Sequence, residues 1–440
     1  MTNRAIGFGL EDLPRLARGE GSYLFDTAGR RYLDGSGGPA AFCIGHANRE
    51  VNEAIAAQLT KVACAYRYLY TSEALEELTA LILQLSGSDF TRVVYVCSGS
   101  EAVESSLKVA LQYWHARGMP NKRRFIARER SYHGNTLGAL SVSGFLDRRR
   151  PYEGSLLEVA WVSAANAYRP PPGVQPAQLV SRLAEELDAR IRSLGPENVA
   201  AFIFEPVVGA AGGVVPAPPG YSAAVLEVCR RHDVLVIADE VMSGSGRCGT
   251  WRALEHDGVS PDIMAVAKGL CGGYIPLGAT VISRRVGDAI LARDGSFLTG
   301  HTYSGHTTAC AAALAVQRII QRENLLQRVQ SNGIRFQAAV RAALGRFEEV
   351  GDVRGRGYFI GIEFVRNRQT REPFPAARGL SHEIGRRAFE LGLICYPCAG
   401  NVGGVAGDTI VLAPPFNASD GELSELLDTL TQAVEQTLAA

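Results

Sequence analysis

Two neighbouring stretches decide the fold: VLVIADEVMSGSGRCGTW at residues 234–251 and PDIMAVAKGLCGGYIPLGA at residues 261–279. Each contains a short run of β-branched and other apolar residues, which is typical of a buried strand. Each run ends at an ionisable residue, Asp239 in the first stretch and Lys268 in the second. Because a charged group at the end of a buried strand is costly without a partner, both stretches predict a functional strand end.

Similar apolar runs lie on both sides of these stretches and alternate with helical patterns. The alternation predicts an α/β domain with a mostly parallel sheet between helices. The predicted strands are RVVYVC (92–97), RRFIAR (123–128), VAAFIFEP (199–206), VLVIADEV (234–241), IMAVAK (263–268) and GATVIS (278–283). Ligands bind beyond the carboxyl ends of the strands in such sheets. Those ends carry Ser98-Gly99-Ser100, Glu205, Asp239 and Lys268, so we expect a shared site there.

The two ends of the chain predict smaller units. YLFDTAGRRYLDGSGG (23–38) predicts a hairpin followed by a glycine-rich loop. The last stretch predicts a small α+β domain that contains a long helix, a strand in YFIGIEFV, a helix through SHEIGRRAFELG and a final helix from Asp420. We therefore expect three regions, at residues 1–65, 66–315 and 316–440.

The composition excludes several classes of partner. Lys+Arg and Asp+Glu number 45 each, so the chain has no overall field that would attract nucleic acid or an anionic membrane. The first residues lack the apolar core of a signal peptide, and no run is long enough to span a membrane, so we expect a cytoplasmic protein. Only Cys395 and Cys398 form a C-x-x-C pair; we interpret them as packing residues and expect no metal site.

Lys268 and Asp239 have the chemistry that a planar, electron-accepting cofactor requires. Gly269, Gly272 and Gly273 follow Lys268 and leave backbone room for a bulky ligand, which suits a desolvated, imine-forming lysine. The lysine alone would better fit a solvated loop, and the neighbouring residues reverse that interpretation. Asp239 would keep a pyridine nitrogen protonated, so that the ring accepts electrons from a substrate carbanion.

Three further motifs fit the same ligand, and each has a structural alternative. CSGSEAVESSLKVA (97–110) runs from a strand end through Gly99 into a helix and predicts a phosphate cradle, although a plain serine N-cap is an equal alternative. Tyr132 precedes His133-Gly134 and would cover one face of the ring, or simply pack. Glu205 would contact ring substituents or a substrate amine, or serve a structural role.

Together these stretches resemble the class III aminotransferases, in the fold-type I superfamily of pyridoxal-phosphate enzymes. The resemblance covers nearly the whole chain and is most specific in the Asp-Glu-Val, glycine-rich and Ala-Lys-Gly segments of the two opening stretches. It implies a large domain with a mostly parallel seven-stranded sheet and a small α+β domain built from both termini. It also implies a pyridoxal 5'-phosphate cofactor and amino-group transfer by a ping-pong mechanism.

The resemblance implies a role for each matching residue. Lys268 would be the Schiff-base lysine and proton shuttle, Asp239 the partner of the pyridine nitrogen, and Tyr132 the residue stacked on the ring. GHTYSGHTTACAAALA (300–315) resembles a segment in which a threonine binds the phosphate of the neighbouring subunit, which assigns Thr302 to its partner and implies a homodimer or a tetramer. The other implied cofactor contacts are Ser98, Gly99, Ser100, His133, Glu205 and Val241.

The branch of the family is less clearly marked than the family. SGGPAAFCIGHANREV (36–51) and GDTIVLAPPF (407–416) look most like the amine or ω-amino acid:pyruvate branch. Neither carboxylate-binding arginine of related branches has a counterpart, because no Lys or Arg follows Arg387. Arg67 is our candidate for that task, or else an exposed arginine on a tyrosine-rich dimer surface. The candidate substrate contacts are Phe42, Arg67 and Tyr68.

Other activities use the same cofactor residues. The scaffold also hosts aminomutases, epimerases and decarboxylating dialkylglycine enzymes, and nothing in the cofactor motifs excludes them. A non-catalytic cofactor-binding module is a further alternative, which the retained Lys268, Asp239 and Thr302 disfavour. A nucleotide-binding enzyme is disfavoured, because neither G-x-G-x-x-G nor a Walker loop follows a predicted strand.

Overall fold

The computed structural model describes residues 13–439. The prediction that residues 1–12 belong to the first region therefore lies outside the described range. The beginning of that range contains β1 (Leu16–Glu20), β2 (Tyr23–Asp26), β3 (Arg31–Asp34), α1 (Gly37–Ala40) and α2 (Arg49–Lys61). Strands β2 and β3 pair antiparallel, which confirms the predicted hairpin. Asp26 holds the turn, because its Oδ1 accepts hydrogen bonds from the backbone N–H groups of Ala28 and Arg30 at 2.9 Å each.

The middle of the chain alternates strands and helices, as predicted. Its elements are α3 (Glu73–Ser86), β4 (Phe90–Val96), α4 (Gly99–Ala116), β5 (Arg124–Arg128), α5 (Leu137–Ser141), α6 (Leu146–Arg149), β6 (Val159–Val162), α7 (Leu179–Leu194), β7 (Val199–Phe204), β8 (Val207–Val208), β9 (Val215–Pro216), α8 (Tyr221–Arg231), β10 (Leu235–Asp239), β11 (Ile263–Val266), β12 (Gly278–Ser283), α9 (Arg284–Asp294) and α10 (Thr307–Arg322).

The central sheet has seven strands in the order β4-β12-β11-β10-β7-β5-β6. Strand β12 is antiparallel to both of its neighbours, and the other six strands are parallel, which confirms the mostly parallel seven-stranded sheet. Every strand predicted from an apolar run is present. The seventh, β6, lies at the sheet edge, is only partly buried and therefore has a weak apolar pattern.

Adjacent residues of the central strands face opposite sides of the sheet, and both sides are buried. Leu235 and Ile237 of β10 pack with Trp114 of α4, whereas Val236 of the same strand packs with Leu187 of α7. Because both faces are covered by helices, the strands consist of nearly continuous apolar residues. In β7, β10 and β11, ionisable side chains thereby occur only at or beyond the carboxyl ends of the strands.

The remainder of the chain forms a smaller antiparallel sheet and its helices. Its elements are α11 (Leu325–Leu344), β13 (Val350–Arg356), β14 (Phe359–Phe364), α12 (Leu380–Glu390), β15 (Leu393–Ile394), β16 (Tyr396–Val402), β17 (Ala406–Leu412) and α13 (Asp420–Leu438). The antiparallel sheet has the order β13-β14-β17-β16. Strand β15 pairs in parallel with β3, so both ends of the chain build the small domain, as predicted.

Several other expectations concern this architecture. The divisions at residues 65/66 and 315/316 stay predictions; helix α10 runs through the second of them. Cys395 and Cys398 are both buried, in different apolar clusters. Between residues 13 and 439, no helix combines the length and the apolar character that crossing a membrane requires. The cytoplasmic location stays a prediction.

Candidate active site

A cavity of about 490 Å³ lies at the carboxyl edge of the central sheet, where parallel strand ends meet. Ten of the thirteen predicted site residues line it: Phe42, Ser98, Gly99, Ser100, Tyr132, His133, Glu205, Asp239, Val241 and Lys268. Nine of them come from the ends of four strands and from the loop after a fifth, and Phe42 lies in the loop after α1. The sheet therefore gathers groups that are far apart in the sequence into one site.

Lys268 lies two residues beyond the end of β11 and begins a short 3₁₀ turn with a positive φ of 48°. Such a backbone conformation is unfavourable for a residue with a side chain, so the surrounding structure must hold it. Burial lowers the pKa of Lys268 to about 8, and the negative charges of Asp239 and Glu205 oppose that shift. A lysine with this pKa supplies neutral, nucleophilic amine near physiological pH.

Asp239, at the end of β10, is held in place by two hydrogen bonds. Its Oδ2 accepts a hydrogen bond from Nδ1 of His133 at 2.8 Å, and its Oδ1 accepts one from the backbone N–H of Val241 at 2.9 Å. His133 is itself buried, and its backbone N–H donates to Ser143 Oγ. Because the carboxylate is buried and oriented, it can stabilise a positive charge in the cavity.

The N-terminal turn of α4 presents its backbone to the cavity. Ser98 is the N-cap, and its hydroxyl accepts a hydrogen bond from the N–H of Glu101 at 3.1 Å, so the predicted N-cap alternative describes that side chain. A Cβ atom on Gly99 would lie 2.7 Å from Cγ1 of Val241, which leaves no room for a side chain. The first N–H groups of this eighteen-residue helix lie there, and backbone N–H groups at such a terminus are suited to binding an anion.

The loop after β5 packs against this helix terminus. Gly134 has a φ of 135°, and a Cβ atom there would lie 2.7 Å from Ser100 Oγ. Ser100 Oγ also accepts a hydrogen bond from the N–H of Asn135 at 3.0 Å. The Tyr132 ring lies edge-on to Phe145, with ring centroids 6.2 Å apart. The loop thus places an aromatic ring beside the anion-binding turn.

Glu205 joins the loops that follow β5 and β7. Its carboxylate accepts hydrogen bonds from the backbone N–H groups of Tyr132 and Gly209, each at 2.9 Å. Burial raises its pKa above the ordinary value. Both carboxylate oxygens have backbone donors, so the structural role that the sequence left open has a geometric basis.

Arg67, Tyr68 and Thr302 do not line the cavity of their own chain. Arg67 Nη2 lies 2.6 Å from the Tyr68 hydroxyl, and its guanidinium lies over the Tyr68 ring at 4.5 Å. Thr302 is exposed. The two segments that contain them, residues 66–70 and 298–303, carry large apolar side chains that are more than half exposed. We call these residues the tyrosine-rich face: Tyr66, Tyr68, Leu69, Tyr70, Leu298 and Tyr303.

The sequence analysis did not identify several residues of the cavity wall. Phe145 and Arg148 come from the segment between β5 and β6, and Tyr396 comes from β16 of the small domain. The run Asp147–Arg150 was a visible charge cluster, but nothing in its spacing indicates which arginine faces the cavity. Tyr396 carries no local signal, because it reaches the cavity only through the docking of the small domain.

Comparisons with known proteins agree on one family. A family model described as aminotransferase class-III matches residues 12–434. The uncharacterized aminotransferase YodT of Bacillus subtilis (strain 168) is 40% identical over 421 residues, which cover 96% of this chain and 95% of that protein. Gamma-aminobutyrate transaminase 1, mitochondrial, of Oryza sativa subsp. indica is 34% identical, with 96% of this chain and 81% of that protein covered.

Solved structures give the same result. An amine transaminase from an uncultivated Pseudomonas species, in a PLP-bound form, superposes with a TM-score of 0.91 at 35% identity and covers 100% of this chain and 97% of that one. A thermostable (S)-enantioselective omega-transaminase from Thermomicrobium roseum gives a TM-score of 0.91 at 33% identity, with 97% of this chain and 93% of that one covered.

Proposed function

The chain belongs to the class III aminotransferases, which depend on pyridoxal phosphate, and we propose that it moves an amino group from an amine or ω-amino acid to a keto acid or aldehyde. Pyruvate is the proposed type of acceptor. Two half-reactions at one site, in a ping-pong order, are proposed as the kinetic scheme. The observation that supports this most is that Lys268, Asp239 and the N-terminal turn of α4 line one cavity.

The residues of the cavity fit pyridoxal phosphate. A phosphate suits the backbone N–H groups of Gly99 and Ser100, because a side chain at Gly99 would close the position. A protonated ring nitrogen suits the buried carboxylate of Asp239, and the aromatic ring of Tyr132 suits a flat ring. The buried amine of Lys268 suits the cofactor's aldehyde carbon.

When bound, the cofactor supplies an electron sink for the pair of electrons that a substrate carbon retains as it loses its proton. Lys268 would hold the cofactor through its amine until the substrate amine displaces it. The freed Nζ of Lys268 would then act as a general base and take the proton from the substrate carbon. It would next act as a general acid and deliver that proton to the cofactor carbon that keeps the transferred nitrogen.

The other residues of the cavity would orient the cofactor and set its protonation state. Asp239 would keep the ring nitrogen protonated, and His133 would hold that carboxylate in place through Oδ2. Glu205 would fix the loop that carries Tyr132, through its hydrogen bond to the backbone N–H. Val241 would serve both the carboxylate, by its N–H, and the anion-binding turn, by packing against Gly99. Phe42 also lines the cavity and is the proposed apolar contact for the substrate.

The experiment that tests this function is a visible spectrum of the cofactor-loaded protein during addition of single amines without an acceptor. We expect the band of the lysine-bound cofactor to bleach, a keto or aldehyde product to appear, and pyruvate to restore the band. Lys268→Ala should lose the response, whereas Lys108→Ala, on the exposed face of α4, should keep it. A band that no amine moves would contradict the proposal.

Product analysis separates transfer from the alternatives. An aminomutase or epimerase would return an isomer and release no keto product, and a non-catalytic module would leave every amine unchanged. A decarboxylating enzyme would release carbon dioxide in proportion to donor consumed. A ping-pong transaminase should give parallel lines in double-reciprocal plots of rate against donor at several acceptor concentrations.

We also propose that the enzyme is a homodimer in which Thr302, and at the substrate entrance Arg67 and Tyr68, serve the partner's site. The two segments that carry the tyrosine-rich face meet where Gly300 lies against Arg67, and exposed apolar patches of this kind mark interfaces. A heterodimer of Lys268→Ala and Thr302→Ala chains tests it. If Thr302 serves the partner, one of its two sites combines intact Lys268 with intact Thr302, and about half of the activity returns.

If Thr302 serves its own chain, the same heterodimer contains no intact site and stays as weak as either parent. Gel filtration supplies the second measurement. Tyr70→Arg, which places a charge on the tyrosine-rich face, should shift the protein toward the monomer. A protein that elutes as a monomer without any substitution would contradict the homodimer.

A further inference from the structure

One cation in the cavity wall has no task in the function proposed above. The described lining contains two positively charged side chains, Lys268 and Arg148, and two carboxylates, Asp239 and Glu205. Lys268 and Asp239 act on the cofactor, and Glu205 accepts two backbone N–H groups. Within residues 13–439, Arg148 is therefore the one arginine of the cavity lining, and it remains without a task.

The three consecutive arginines of this segment differ in their surroundings. Arg149 donates to three backbone carbonyls and lies over the Trp161 ring at 4.9 Å, so it has a structural role. Arg150 forms an exposed ion pair with Asp147 at 2.9 Å. Arg148 lines the cavity, is exposed, and forms no ion pair with any carboxylate that the structure describes. Its guanidinium donors are thus available to a ligand.

Arg148 lies among the aromatic residues of the cavity wall. Its guanidinium is 5.8 Å from the Phe145 ring centroid, and Tyr132 and Tyr396 line the same cavity. Burial raises the pKa of both tyrosines, and the positive charge of Arg148 opposes that shift in each, so its charge is within electrostatic reach of both phenols. These side chains come from the loops after β5 and from β16, whereas the phosphate turn follows β4.

The environment suits an organic acid with an apolar body. A guanidinium binds a carboxylate through two parallel hydrogen bonds, and such charged hydrogen bonds are stronger than neutral ones. Phe42, Phe145 and Met242 line the same cavity and provide apolar surface for the rest of such a ligand. No described carboxylate competes for the guanidinium by an ion pair.

We infer that Arg148 binds the carboxylate of the substrate, so that the enzyme favours amino acids and keto acids over amines that carry no acid group. The inference rests on the proposed transaminase function and names its substrate class. It replaces Arg67 as the candidate on this chain. It also explains how a substrate carboxylate can be bound by a chain that has no Lys or Arg after Arg387.

The test compares two kinds of donor in Arg148→Met. For β-alanine and L-alanine, which have a carboxylate, we expect kcat/KM of the donor half-reaction to fall about 10- to 100-fold, mainly through KM, as for loss of a hydrogen-bonded charged partner. For benzylamine, which has none, kcat/KM should stay within about twofold. Arg148→Lys should recover part of the loss, because it retains the charge but not the two-point geometry.

Arg150→Met is the matched control, because it removes an arginine two positions away that pairs on the surface. It should leave both donors unaffected. A second measurement needs no turnover and uses 3-phenylpropionate, an unreactive acid, in titration calorimetry. The cofactor-loaded wild type and Arg150→Met should bind it with equal Kd, and the Kd of Arg148→Met should be about 10-fold higher or more.

Two results would overturn the inference. Equal losses for acid and non-acid donors in Arg148→Met would indicate a general structural role, and unchanged values for the acid donors would indicate a solvated arginine. Failure of the transaminase proposal gives a different result, since the wild type itself would then transfer no amino group from any donor while 3-phenylpropionate binding still reported on Arg148.

Discussion

Lys268 has an altered acidity that gives a testable pH dependence. Burial disfavours its charged form and lowers its pKa from 10.5 to about 8. At pH 7 about a tenth of such amines are neutral, compared with fewer than about one in a thousand at the ordinary pKa. In the cofactor-free protein, the reactivity of Lys268 should therefore rise about tenfold per pH unit below pH 8 and level off above it.

Trace acetylation with acetic anhydride and peptide mass spectrometry would measure this profile. The chain has only four lysines, so each modified peptide can be assigned, and exposed Lys108 is the internal reference. The negative charge of Asp239 raises the pKa of Lys268, so Asp239→Asn should move the levelling-off to lower pH. A profile that continues to rise toward pH 10 in the wild type would contradict the described burial.

Asp239 should matter for turnover more than for cofactor binding. Asp239→Asn keeps the size of the side chain and removes its charge. The attraction between two opposite charges in close contact near a protein surface is worth about 4 kcal/mol, or roughly a thousandfold in rate. The phosphate turn and Lys268 should still retain the cofactor, as absorbance after dialysis would report. Asp288→Asn, on the exposed face of α9, is the control and should keep full activity. Activity of Asp239→Asn within tenfold of wild type would contradict the role.

Some residues of the site could be predicted from the sequence, and others could not. Lys268 and Asp239 could be predicted because a buried strand that ends in an ionisable group is unusual in itself. Arg148 could not, because three adjacent arginines look alike in sequence, and only packing selects the one that faces the cavity. The hydroxyl of Ser98 was ambiguous, and the structure uses it as an N-cap.

At the scale of elements, the loop after β5 depends on a glycine. Gly134 has a φ of 135°, and a Cβ atom would lie 2.8 Å from Ser100 Cα, so Gly134→Ala combines backbone strain with a clash. We expect a loss of about 1–3 kcal/mol in unfolding free energy and weaker cofactor retention, because the turn of α4 must shift. Denaturant titration and dialysis measure both effects. Gly154→Ala, with no atom within 4 Å of its Cβ, should change neither.

Phe145 separates the active-site cavity from a second cavity of about 400 Å³, because its side chain lines both. Phe145→Ala should open one cavity into the other and admit bulkier donors, so that kcat/KM for a bulky aryl amine rises relative to that for a small one. Leu146→Ala is the control, since Leu146 lines only the second cavity. An unchanged ratio of the two kcat/KM values in Phe145→Ala would show that the cavities stay separate.

The elements that could be predicted from the sequence are those that carry a local apolar pattern. All six apolar runs became strands of the central sheet, since burial on both faces makes such runs continuous. Strand β15 has two residues and exists because Leu393 lies opposite Leu33, at the other end of the chain. A strand that short is defined by its distant partner, so no local pattern announces it.

At the scale of the whole molecule, Arg354 joins the small domain to the active-site region. Its guanidinium pairs with Glu363 at 2.6 Å and donates to the carbonyls of Gly212, Gly213 and Val214, each at 2.9 Å. Those carbonyls belong to the same loop as Ala210, which lines the cavity. The buried ion pair thus fixes one wall of the site from the small domain.

Arg354→Met should therefore act on stability and on the site together. Removing one partner of a buried ion pair costs about 3–5 kcal/mol, because Glu363 then lacks one of its arginine partners. We expect a lower Tm by calorimetry and faster loss of cofactor on dialysis. Arg335→Met, an exposed arginine, should change neither value. A Tm within one degree of wild type would show that Arg354 does not join the two regions energetically.

The general architecture of the molecule was predictable, and its assembly at the site was predictable only in part. Alternating strands and helices indicate the central sheet, and the family resemblance indicates a small domain from both termini, which the pairing of β15 with β3 confirms. The placement of Tyr396 in the cavity depends on how that domain packs, which no local pattern contains.

The reversed strand β12 has a consequence for the descent of this protein. The nine residues from 269 to 277 leave Lys268 and re-enter the sheet at Gly278, which pairs with Val96, two positions before Ser98. This single stretch therefore spans the distance from the lysine to the phosphate turn. An insertion or deletion within it would move one end of the site relative to the other. Homologous proteins that keep the activity should accordingly differ in the residues of this stretch but not in its length.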